Sequence, residues 1–165
     1  MGEERLYFED VEVGDSAAKF THVLTRTDLV RYAGASGDYN PMHHDEIAAK
    51  QAGQPSVFGH GMFSMGLLAT ALTSYVGAEN LASYKVRFAK QTWPGERLAT
   101  RIIVTGKQSE GSRNVVDLEC SLENAEGEVK VIGQARAFLA SRARSQHGVE
   151  PDTVTGPEKS IGLPA

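Results

Sequence analysis

A single cysteine in 165 residues, Cys120, excludes an internal disulfide and any cysteine-rich metal centre. The expectation is a reducing compartment, the cytoplasm. Basic excess is lacking too, with 17 Lys and Arg against 21 Asp and Glu and a net charge of −4. Phosphate-backbone binding needs a concentrated positive face, so nucleic acid is not expected as a partner. Long hydrophobic runs are missing: the longest apolar stretch is interrupted by Ser, Thr and Gly and is too short to span a bilayer, so no membrane association is expected. The opening residues Met1-Gly2-Glu3-Glu4 are acidic where a secretory leader would be basic. What remains is 41% hydrophobic and 23% charged, ordinary values for a soluble globular chain long enough for one domain around one core.

Pattern divides the chain into a helical half and a strand half. Leu6 to Gly14 reads as an arm closed by a turn, and Ala17 to Leu24 as a first strand. Thr25 and Asp28 have the spacing of a capping box, which starts a helix with Leu29, Val30, Ala33 and Tyr32 as its expected buried stripe. That helix stops at Ser36-Gly37. Asp45 is placed to cap a short second helix, 46–51, closed by Gly53. From His60 to Val76, apolar residues occupy every side of a helical wheel, and a helix of this kind must be wrapped by protein. The second half alternates with period two: Tyr84, Val86 and Phe88, then 98–107, then Val116, Leu118, Cys120 and Leu122, then 129–140. Short turns between these runs predict an antiparallel meander, and the whole is α+β, a long sheet wrapped around one mostly buried helix. One domain is expected over 1–141. Residues 142–165, rich in Ser, Pro, Gly and charge, are expected to form a mobile tail.

The stretch Ser36-Gly37-Asp38-Tyr39-Asn40-Pro41-Met42-His43 departs from this regular texture. Gly37 permits positive φ, while Pro41 breaks helical hydrogen bonding and biases Asn40 towards extended backbone. An acid, an amide and an imidazole therefore sit on one fixed bend. Gly-Asp-x-Asn-Pro is also a good plain turn, with Asp and Asn bonding their own backbone. The catalytic reading is preferred because His43 follows and because Gly59-His60-Gly61-Met62 opens the apolar helix downstream. His43-His44-Asp45 is not expected to hold a metal, because adjacent side chains point apart and no distant third ligand is evident. His60 is expected to pack or hydrogen-bond at the helix entry. Met62 and Met65 read as core or as lining of an acyl pocket, Lys85, Arg87 and Lys90 as a solvated strand face, and Cys120 as an inert core thiol. His22 and His147 have no identifiable role.

These residues resemble a known family. Tyr32-x-x-x-Ser36-Gly37-Asp38-x-Asn40-Pro41-x-His43, followed by His60-Gly61-Met62, is similar to the MaoC-like hot-dog proteins, which include (R)-specific enoyl-CoA hydratases and 3-hydroxyacyl-thioester dehydratases. The likeness covers roughly residues 5 to 140. Around Asp28–Gly34 and Tyr84–Phe88 the wording also resembles the catalytic subunit of heterodimeric hydroxyacyl-ACP dehydratases. The resemblance implies a hot-dog fold and reversible hydration of acyl-CoA or acyl-ACP thioesters. It further implies Asp38 and His43 as the catalytic pair, Asn40 as the residue that helps position water, and Gly61 as the oxyanion amide.

The residue types suit that chemistry. Hydrating an α,β-unsaturated thioester needs a base for water, an acid for the α-carbon and a donor for the enolate oxygen. Asp38 and His43 supply titratable groups, and Gly61 supplies an N–H at a helix start. No redox cofactor or metal is called for. Two other readings are carried: a hot-dog thioesterase, and a non-catalytic acyl-binding subunit of a heterodimer. Open sheet edges also predict a homodimer, with a heterodimer of related chains as the alternative.

Overall fold

The computed structural model describes residues 5–142. The expected tail, with His147, lies outside the described residues. A capping box opens the helical half. Thr25 Oγ1 accepts the Asp28 N–H at 3.1 Å, and Asp28 Oδ2 accepts the Thr25 N–H at 2.8 Å. Helix α1 then runs over Arg26–Ser36 and ends on Gly37 at φ 75°, a left-handed conformation that glycine adopts without strain. Asp45 accepts the N–H groups of Ile47 and Ala48 and so starts α2, Glu46–Gln51. The long helix α3 covers Gly61–Val76.

Five strands form one antiparallel sheet. β1 is Thr21–Val23, β2 Leu81–Phe88, β3 Arg97–Glu110, β4 Arg113–Glu123 and β5 Val129–Leu139. Their spatial order is β1-β3-β4-β5-β2, so β3, β4 and β5 are the expected meander and β2 folds back as an edge. Val116, Leu118, Cys120 and Leu122 all turn inward from β4 and meet Leu68, Leu72 and Val76 of α3 in one core. Burial pushes the Cys120 thiol up to about 11, as an inert core thiol should be. The sheet wraps the helix, the α+β layout read from the pattern. No helix among the described residues is long and apolar enough to cross a membrane.

Three expectations need correction. The first strand is shorter than 17–24. Residues 16–24 do run along β3, with Ser16 bridging Ile103 and Thr100 N–H donating to Phe20, but a regular ladder holds only at Thr21–Val23. Val30 is not on the buried stripe of α1: it is 62% exposed, while Leu29 and Ala33 are buried. Helix α3 is buried on most sides, as expected, but carries one exposed face. Met62, Gly66, Thr70 and Ser74, four residues apart, form an exposed line along it. Met62, at 56% exposure, is therefore not core. Apart from that methionine the line is made of small or polar residues, which the helix can leave uncovered at little cost.

Candidate active site

Gly37 ends α1 and turns the chain into the polar bend, where Pro41–His43 forms a single 3-10 turn capped by Asn40. The two carboxylate oxygens of Asp38 have different tasks. Oδ1 accepts the Asn40 N–H at 3.2 Å and so shapes the bend, while Oδ2 lies 3.9 Å from His43 Nε2. Asn40 is half committed in the same way. Its Oδ1 accepts the Met42 N–H at 3.1 Å, which leaves the amide NH2 to act outward. The plain turn thus uses one oxygen of each side chain and leaves Asp38 Oδ2 and the Asn40 NH2 uncommitted.

The tautomers of both imidazoles follow from their partners, because a main-chain carbonyl can only accept. His43 Nδ1–H donates to the Phe58 carbonyl at 2.7 Å, so in the neutral ring Nε2, facing Asp38, is the acceptor nitrogen. His43 is buried, and Asp38 has a side chain that is 53% exposed, so the pair joins a dry imidazole to a wetted carboxyl group. Oxygen partners at about 2.8 Å from both Oδ2 and Nε2 fit a gap of 3.9 Å, so a single water can touch the two.

His60 ties the bend to α3. Its Nε2–H donates to the Asp38 carbonyl at 3.1 Å, and its ring stacks on that of His43 with centroids 3.8 Å apart. The Tyr32 ring meets it at a tilt, with centroids 5.0 Å apart. Burial holds the His60 pKa below its ordinary value, partly offset by the bond to the Asp38 carbonyl. Its Nδ1 is buried without a hydrogen-bond partner. The expectation that His60 packs and hydrogen-bonds at the helix entry holds, and its reach to Asp38 adds the link between the two motifs. Asp38, His43 and His60 offer ligand atoms within 4.8 Å of one another. A metal bound through His60 Nε2 would have to break its bond to the Asp38 carbonyl.

Gly61, the next residue, is the first of α3, where N–H groups have no partner inside the helix. A Cβ there would rest 3.4 Å from the Phe88 ring. A cleft of about 390 Å³ opens at this point, bounded by Phe58, Gly59, Gly61, Ser64, Phe88 and Thr92 among others. Asp38, Asn40 and His43 are not in its wall. His43 sits against Phe58, whose carbonyl accepts from it and whose ring meets the imidazole edge-on at 5.1 Å. His22, which had no role in the sequence, bonds Asp28 Oδ2 at 3.1 Å and meets Phe63 edge-on, bracing α1 against α3.

A family model described as "MaoC like domain" matches residues 12–125. The chain belongs to the MaoC-like domain family. Among its relatives, 3-hydroxyacyl-thioester dehydratase X of Mycobacterium tuberculosis is 42% identical over 69 residues, 41% of this chain. The (R)-specific enoyl-CoA hydratase of Rhodospirillum rubrum is 25% identical over 138 residues, 82% of this chain and 93% of that one. The unliganded R-hydratase PhaJ1 of Pseudomonas aeruginosa superimposes with a TM-score of 0.75 at 24% identity, over 96% of this chain and 97% of that one. This is the hot-dog fold. The chain spans 23% of the length of the Mycobacterium dehydratase, and 34% and 28% of two other curated relatives.

Proposed function

We propose that this MaoC-like domain catalyses reversible addition of water to trans-2-enoyl thioesters, giving (R)-3-hydroxyacyl thioesters on CoA or acyl carrier protein. One observation carries the reading: with Nδ1–H committed to the Phe58 carbonyl, Nε2 is the acceptor nitrogen of the neutral His43 ring and faces Asp38 Oδ2, and the stacked His60 ring leads directly into Gly61. In the forward direction the water oxygen bonds to the β-carbon as its proton passes to His43 Nε2. The π electrons move onto the thioester oxygen, where the Gly61 N–H receives the developing charge. A proton then returns from the Asp38–His43 pair to the α-carbon, so the sum is one H2O added. The Asn40 NH2 orients the water as a donor. Acid–base assistance of this type contributes about 10²–10⁴-fold, and an oxyanion donor about 10²–10³-fold. The relatives named as hydratase and dehydratase support the same reaction class.

The cytoplasm is part of this reading, and so is a homodimer formed at an open sheet edge, either β1 or β2, with a related chain as the alternative partner. The test is purified protein with crotonyl-CoA, following both enoyl absorbance and free thiol. Loss of enoyl signal without thiol is the expected result. Thiol without hydration would instead make the chain a thioesterase, and no change in either would make it a binding subunit.

A further inference from the structure

Lys130 stands at the start of β5 with its side chain only 1% exposed, although nothing in the proposed chemistry uses it. A lysine is rarely buried to this degree unless paired, and replacing a buried ion pair by apolar groups is often neutral or stabilising. Its presence therefore asks for an explanation other than stability, and its partners supply one. The ammonium bonds Glu96 Oε1 at 2.7 Å and also Glu128 Oε2. Glu128 is held down to about 2 by Lys130 and Lys90, and the two carboxylates keep the ammonium charged against its burial. Glu96 also accepts the Trp93 N–H at 2.8 Å and the Asn124 Nδ2–H at 3.1 Å. Lys130 even acts through its backbone, with its carbonyl accepting the N–H groups of Ala89 and Lys90.

The bonds to Glu96 and the Lys130 carbonyl reach the loop 89–96, which leads from β2 to β3 and walls the cleft, and Glu128 reaches it through the Lys90 ammonium. From this loop the Thr92 carbonyl accepts the Gly59 N–H at 2.8 Å, and buried Thr92 Oγ1 lies 3.4 Å from Ser64 Oγ of α3. No room is left at the contact: a Cβ on Gly59 would fall 2.2 Å from Thr92 Oγ1. Gly59 leads directly into His60 and Gly61.

We propose that Lys130 is a positioning residue: its ion pairs with Glu96 and Glu128 lock the 89–96 loop, and through the Thr92–Gly59 contact they fix the Gly61 amide against the substrate cleft. A purely packed loop would slide along the edge of α3. A buried ammonium bonded from two directions does not, because any displacement leaves a charge unpaired away from water. The catalytic consequence rests on the function proposed above; the mechanical one does not.

The experiment measures amide hydrogen exchange and crotonyl-CoA hydration on wild type, Lys130→Met and the milder Glu128→Gln. Exchange at Gly59 should quicken by about tenfold or more in Lys130→Met while β4 amides stay protected, because opening is local. kcat should fall about tenfold with the unfolding transition still cooperative, and Glu128→Gln should move both quantities in the same direction by less. Unchanged Gly59 protection in a folded variant overturns the proposal. So does a uniform rise at every amide, which would make Lys130 a stabiliser of the whole domain. If Lys130→Met fails to fold, Glu128→Gln decides by the same criteria. Should the wild type not hydrate crotonyl-CoA, the function fails while the exchange data still judge the brace.

Discussion

A glycine amide can be removed at position 61 without disturbing the helix it opens. Proline is tolerated at the first helical position, where its missing N–H has no helical partner, and it requires an extended residue before it. His60 already has φ −61° and ψ 133°, in that region. Gly61→Pro should therefore fold with a melting temperature within a few degrees of wild type, and lose about 10²–10³ in kcat for enoyl hydration because an oxyanion donor is gone. Steady-state kinetics beside a thermal melt check both halves. At the same scale, the Asp38–His43 pair was legible because a bend of six residues sets it locally. His60 was legible as a helix-entry residue. Its carbonyl contact with Asp38, 22 positions away, was not, because no local spacing encodes a fold-back of that length. The His22–Asp28 contact and the Lys130 pairs escaped for related reasons. Lysine at a strand start reads as solvated, and only the meeting of two turns with β5 buries it.

At the scale of elements, caps and strand alternation were readable and the outer face of each helix was not. Thr25 and Asp28 form their box within four residues, and β4 alternates as written because both its neighbours are strands. Val30 and Met62 are apolar residues on faces that no other described element covers, and a helical wheel counts apolar residues without knowing where the neighbours stop. The α3–sheet contact carries the core. Leu68→Ala, at a fully buried position, should cost about 2–5 kcal/mol, depending on how far the sheet relaxes into the gap, as read from denaturant unfolding. The loop network gives a pH signature. Glu128 titrates at about 2 in the folded chain against an ordinary 4.5, so its contribution is complete above about 4.5 and vanishes as pH falls towards 2. Wild type should thus be more stable than Glu128→Gln at pH 7, and the difference in melting temperature should shrink steadily from pH 4.5 downward. A difference that persists at pH 2 would mean the glutamate acts through something other than its charge.

For the whole molecule, the sheet among the described residues ends in two strands with unpaired outer edges, short β1 and longer β2, and a long exposed edge is a template for pairing with a second chain. Sedimentation at micromolar concentration should give a dimer mass; a monomer would remove that part of the account. The same architecture brings the bend after α1, the entry of α3 and the loop before β3 to one place, though they are far apart in sequence. The account depends on that convergence being chemically active. The most direct measurement is the rate of crotonyl-CoA hydration by wild type and by His43→Gln, with folding of both verified by circular dichroism. Turnover by wild type and a fall of at least about 10²-fold in the variant are the predicted result. A His43→Gln protein that hydrates crotonyl-CoA at the wild-type rate would contradict the account.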